Sequence, residues 1–352
     1  MATLKVNTLS GIGTEGPVLN GGLHFNTLNY MTLPKGDTTQ RGRGRGIISR
    51  GMTPNSSALT KIMQYIDMSS GGNSVDFGDG MDASYGSTAV SSSTRGVTQP
   101  GATANSSPYS ITNRLDYVTI ATTASAQDFG DLLVASQHKT GLSNQTRGIF
   151  AAGFLNNTQA MDKIEIATLG DATDFGDSIG AQYGNNQGGQ AGSTTRGLIA
   201  GGSSNSSPAE VEKIQFVTFS TLGDAQDFGD LLNQNGYFNT GASSQTRAVF
   251  AGGIDLDSPY ASQNVIQYVT IATTGNAIDF GDLTVGKYGQ MGMSNSTRGY
   301  FAGGVTIPGP TRQNIIDFVT ISTTGNAVDS GDLDITSVNS GAGISDSHGG
   351  VE

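Results

Sequence analysis

Apolar positions in this chain fall into two kinds of short run, laid down in the same order again and again. The clearest copy spans Thr246–Leu283. Thr246-Arg247-Ala248-Val249-Phe250-Ala251 opens it and ends on Gly252-Gly253; a polar stretch separates this from Ile266-Gln267-Tyr268-Val269-Thr270-Ile271. The copy closes on Gly275-Asn276-Ala277-Ile278-Asp279-Phe280-Gly281-Asp282-Leu283. Runs rich in Val, Ile, Tyr, Phe and Thr, bounded by Gly, Asn and Asp, read as strands. Weak alternation within the second run predicts burial on both faces.

Two markers count the copies. The opening arginine recurs as Arg45, Arg95, Arg147, Arg196, Arg247 and Arg298. The first aspartate of the closing segment recurs as Asp76, Asp128, Asp174, Asp227, Asp279 and Asp329. Both give six units of about fifty residues, the size of a four-stranded propeller blade. Radial repetition of such blades leaves few exposed edges. The glycines that end the opening strand predict close backbone approach near a central axis. The chain is therefore expected to be all-β, a six-bladed propeller over residues 41–352.

Two features depart from the repeat. Residues 1–40 alternate apolar and polar positions (Leu4 and Val6, Leu23 and Phe25) between Gly-rich turns. That stretch reads as a short β-rich segment, too small for its own core. It is expected to attach or oligomerise the molecule. At the other end, Ser347-His348-Gly349 lies one period after Thr297-Arg298-Gly299, with His348 in the arginine position. This predicts that Leu333–Gly349 completes the blade opened by Ile47-Ile48, closing the ring from both ends.

Composition narrows the picture. The 352 residues include 52 glycines, and adding these to the apolar share while leaving out the 11 tyrosines gives roughly 47%, ordinary for a globular chain. The formal net charge is −11, which disfavours nucleic acid. There are no cysteines, hence no disulfides and no thiolate chemistry. No apolar run reaches the roughly 20 residues of a membrane helix, and the first residues lack the layout of a secretory signal.

Candidate chemistry is sparse. Asp-Phe-Gly-Asp occurs five times, but the lysine strand and catalytic loop that make Asp-Phe-Gly a kinase motif are missing. The spacing of a calcium loop is absent too. A tight turn fits better, with glycine at positive φ, aspartates bonding turn amides and phenylalanine plugging the space between blades. The repeated arginines are expected to donate either to a motif aspartate or to a carbonyl of the adjoining strand or blade. His24, His138 and His348 show no metal-ligand spacing. No cofactor is expected. Recognition is expected on the variable loops, where Tyr109 and Tyr260 offer flat faces with a hydroxyl.

The unit resembles Kelch-like propeller repeats, without the tryptophan usual there. Thr297-Arg298-Gly299-Tyr300-Phe301-Ala302-Gly303-Gly304, with Tyr268-Val269-Thr270-Ile271-Ala272-Thr273-Thr274-Gly275-Asn276-Ala277, resembles repeat-bearing virion structural proteins of marine bacteriophages, especially cyanophages. Leu4-Lys5-Val6-Asn7-Thr8 and Tyr30-Met31-Thr32-Leu33-Pro34 look like the attachment ends of such proteins. The resemblance implies a non-enzymatic tail fibre, adhesin or capsid-surface protein. It would sit on the virion as a homo-oligomer, joined through residues 1–40 to other virion proteins. It would face a host-surface glycan or protein. The alternatives are a glycan-degrading propeller enzyme and a cellular binding module.

Overall fold

The structure, a computed structural model, describes residues 44–53, 58–104, 110–154, 159–180, 190–203, 212–232, 238–255, 260–334 and 339–351. The chain divides after Arg41, and the expectations for residues 1–40 lie outside the described residues. The rest is all-β: six small antiparallel sheets form a six-bladed propeller. In blade 5 the strands run, from the axis outwards, Thr240–Ser243, Arg247–Ala251, Val265–Thr270 and Ile278–Asp282. Blades 2, 3 and 6 repeat that order. In blade 4 the described part of the inner position makes only the bridge Gly192↔Gly197, so three strands are paired there. Blade 1 takes its inner strand, Ala342–Ser345, from the far end of the sequence. That strand pairs with Arg45–Met52 from Gly46↔Ser345 to Ser49↔Ala342, so the ring closes as the half-copy predicts.

The core lies between blades. Six buried clusters each draw on two consecutive blades: Leu198, Phe216 and Phe228 of blade 4, for example, pack on Phe250, Val269 and Ile271 of blade 5. A single blade is too thin to bury both faces of its sheet; stacked neighbours supply the missing side.

Two local readings change. The paired glycines do not sit within the strand but just beyond it, at positive φ: Gly252 at 64° and Gly253 at 114° turn the chain off the sheet. The need is conformational, and at Gly252 it is also one of close approach, since a Cβ there would collide with the Lys287 carbonyl. The Asp-Phe-Gly-Asp segment is no turn either, since it forms the outer strand and carries a bulge. Ile266 faces Gly281 while Gln267 faces Asp279, leaving Phe280 as the extra residue. The bulge drives that phenylalanine inwards, and all five are 1–2% exposed. It leaves the repeat aspartates Asp76, Asp128, Asp174, Asp227, Asp279 and Asp329 exposed on the rim.

The bulge also shapes a clasp. The Gly275-Asn276-Ala277 turn of blade 5 donates its Gly275 and Ala277 amides to the carbonyls of Phe228 and Asp230 in blade 4, each at 2.8 Å. Asn276 Oδ1 accepts the Asp230 amide in return at 3.1 Å. The backbone must approach closely here, and a Cβ on Gly229 would collide with the Gly275 carbonyl. At the closing junction Gly72, Asn73 and Ser74 repeat the pattern on Ser330 and Asp332. Ser330 thus replaces the plug without breaking the clasp.

Candidate functional site

Antiparallel order puts two kinds of turn on one face of the ring: inner-to-second and third-to-outer. The second-to-third loops and blade-to-blade connections lie on the other. The first face is uniform. Each repeat arginine begins a second strand, and its amide is capped by the side chain three residues earlier. Those caps are Ser92 (3.2 Å), Asn144 (2.8 Å), Ser193 (3.2 Å), Ser244 (3.3 Å) and Asn295 (2.8 Å). In blade 1 the chain is interrupted at this turn, and Asp346 caps Arg45 at 3.2 Å from the other end.

Every repeat guanidinium reaches a carbonyl of the next blade. Arg45 donates to Ile120 (2.8 Å), Arg95 to Ile166 (2.9 Å) and Arg196 to Ile271 (3.0 Å). Arg247 donates to Ile321 (2.9 Å), Arg298 to Ser69 (3.1 Å) and Arg147 to Phe219. Five of them also lie over an aromatic ring of their own third strand, Arg247 at 4.2 Å from the Tyr268 centroid. Blade 3 has Lys163 where that ring would be, and Arg147 pairs with Glu165 at 3.3 Å instead. Of the two acceptors expected, the geometry selects the carbonyl; no motif aspartate receives a repeat arginine among the described residues. Arg247→Ala is expected to lower stability by about 1–3 kcal/mol, the cost of a lost charged donor and its stacking. A calorimetric melt checks this.

The axis is narrow. The last residue of each inner strand is serine except in blade 4, and these bond around the ring: Ser243 N to Ser294 Oγ and Ser294 N to Ser345 Oγ, each at 3.1 Å. Gln190 reaches across from blade 4, its Nε2 3.0 Å from Ser91 Oγ of blade 2. His348 enters the same space, 1% exposed. It does not take the arginine's role, which Arg45 fills.

The loop face is where the copies differ. Two residues before the inner strands, Gly86, His138, Phe238, Gly289 and Ser340 all have φ between 55° and 66°. Their amides link one blade to the next: Gly289 to Phe238 at 3.0 Å, then Ser340 to Gly289, Gly86 to Ser340 and His138 to Gly86 at 2.8 Å each. Left-handed non-glycine residues cost roughly 1–3 kcal/mol and cluster at functional places. This collar carries aromatic side chains. His138 and Phe238 are 5.0 Å apart edge to face, and Tyr288 lies 6.3 Å beyond Phe238. Burial raises the Tyr288 phenol above its usual value, against a smaller pull from Arg312. No motif announces the collar, because its residue types differ from blade to blade. Only the register, two before each inner strand, marks it.

Two loops of this face form ribbons rather than irregular chain: Ile254–Asp255 with Ala261–Ser262, and Val305–Thr306 with Thr311–Arg312. They are tied to each other. Ser262 N donates to Ile307 O at 3.1 Å, and Ile307 N to Ser262 Oγ at 3.0 Å. Tyr260 stands at the end of this pair, 58% exposed. Tyr109 lies outside the described residues.

Beneath the loops are buried ion pairs that the repeat does not foretell. Lys287 Nζ is 2.9 Å from Asp317 Oδ2, and Lys139 Nζ is 3.6 Å from Asp162 Oδ2. Burial pulls both lysines below their usual range and pushes Asp162 up. All four side chains are at most 2% exposed, which marks framework rather than a reacting surface. Among the described residues no three His, Asp or Glu side chains are placed to hold a metal ion. Comparison with protein-family models and with curated proteins finds no match to this chain.

Proposed function

We propose that this chain is a non-enzymatic recognition scaffold of a phage particle, presenting its loop face to a host-surface glycan or protein. In this reading residues 1–40 join it to other virion proteins and gather copies into a homo-oligomer, so that weak single contacts gain from multivalency. The phage setting rests on the resemblance of the repeat. The observation that carries the recognition reading is the contrast between the faces. One is built from the same bonds six times, whereas the other holds the copy-specific features: the aromatic collar, the tied ribbons and exposed Tyr260. Copy-specific loops on a rigid frame are where binding resides.

Tyr260→Ala tests it. An exposed tyrosine contributes little to folding, so the melting temperature should stay within the effect of about 0.5 kcal/mol usual for surface changes. Adsorption of the purified protein to host cells should fall, and fall further when residues 254–262 are exchanged for the blade 2 loop. Undiminished adsorption in both variants would sink the reading.

A further inference from the structure

We propose that the axis on the arginine face is a peptide-binding site, and that residues Asp346–Val351 are its ligand, bound in cis. The recognised chemistry is an Asp-x-His-Gly-Gly sequence. Its first anchor is the Asp346 carboxylate, which accepts the amides of Gly44 at 2.7 Å and Arg45 at 3.2 Å in blade 1. Its second is the His348 ring. Nε2 lies 3.1 Å from the Ser91 carbonyl of blade 2 and 3.3 Å from Ser143 Oγ of blade 3. A carbonyl only accepts, so Nε2 carries the proton, and Nδ1 is left to accept the Gly350 amide at 3.1 Å. The third is main chain: Gly349 N donates to the Ser243 carbonyl of blade 5 at 3.0 Å.

Shape selects the rest. A Cβ at 349 would collide with the carbonyl oxygens of Ser244 and Gly192, and one at 350 with that of Ser143. The Val351 amide closes the turn onto the His348 carbonyl at 2.8 Å. Carboxylate, imidazole and two absent side chains are thus each read by a different part of the ring, and five of the six blades take part. These are the marks of a ligand site, with convergent polar groups fixed on a rigid wall. The seat is available to the same sequence from a second molecule whenever the cis copy leaves it.

The test uses the full chain carrying Gly349→Val and Gly350→Val, which should eject the tail while keeping Ala342–Ser345 in its sheet. A fluorescent peptide of residues 345–352 should bind this variant, and a peptide bearing the same two substitutions should not. The unchanged protein should bind neither, because its own tail competes at an effective concentration of the order of millimolar. A variant that binds neither peptide, or both alike, overturns the proposal. Hydrogen exchange on the unchanged protein gives an independent measure. The Gly349 and Val351 amides should be protected to the level of the inner-strand amides of Ser243 and Ser294; exchange at free-peptide rates overturns it whether or not the variant folds.

Discussion

A chain ended after Asp332 is expected to aggregate and to lose its single cooperative unfolding transition. The loss takes away the strand Ala342–Ser345, and with it the partner of Arg45–Met52 in blade 1. Ile344 and Ala342 are fully buried and Leu333 is 3% exposed. Emptying one Leu- or Ile-sized site costs about 2–5 kcal/mol. Two such sites together approach the 5–15 kcal/mol that typically separates folded from unfolded states. Neighbouring blades lose bonds as well, since Ser294 donates to Ser345 Oγ and Ser91 Oγ to the Ser345 carbonyl. The bare edge of Arg45–Met52 then becomes a template for pairing with other chains. Size-exclusion chromatography and calorimetry decide it, and a soluble truncated chain with one sharp transition counts against this view of closure.

Lys287→Met should destabilise the protein by about 3–5 kcal/mol, because it leaves the Asp317 carboxylate buried without its counter-charge. The chain itself supplies the remedy. In blades 1, 4 and 5 the position of Asp317 is held by Gln64, Gln215 and Gln267, and Gln215 and Gln267 each accept a main-chain amide from the preceding blade. Lys287→Met combined with Asp317→Gln should therefore recover the larger part of the loss. Chemical denaturation of the two variants measures it; a double variant no better than the single one refutes the compensation.

A pH slope belongs to the same pair. Burial lowers the Lys287 pKa below its usual 10.5. Between the lowered value and 10.5 the unfolded chain holds a proton that the native chain has released, so stability rises with pH across that window. The double variant should lack this increment relative to the parent.

What the sequence made legible is what recurs at the same offset. Six arginines on one period forecast six blades, and a half-copy after Asp332 forecast where the ring closes. The arginines' reach to a neighbouring carbonyl was one of two options, since spacing alone does not say which acceptor the third dimension brings near. Asp-Phe-Gly-Asp lies in a strand and not in the expected turn, because glycine at positive φ serves a bulge as readily as a turn, while its phenylalanine does plug the space between blades. The collar and the lysine pairs were invisible for another reason. His138 and Phe238 share a backbone conformation but no side-chain type. Lys139 and Lys287 occupy different offsets from their inner strands yet reach the same strand position, at Asp162 and Asp317.

The split turn of blade 1 has a consequence for the topology of the chain. There Asp346 caps Arg45 from the opposite end of the sequence, as Asn295 caps Arg298 within an unbroken loop. The seam is chemically a turn whose covalent link has been left out, and the neighbouring clasps and carbonyl bonds do not register its absence. Connectivity and architecture are therefore separable in this ring. Each of the other five arginine turns is an equivalent place to cut it, and chains permuted to begin there would inherit the same set of bonds.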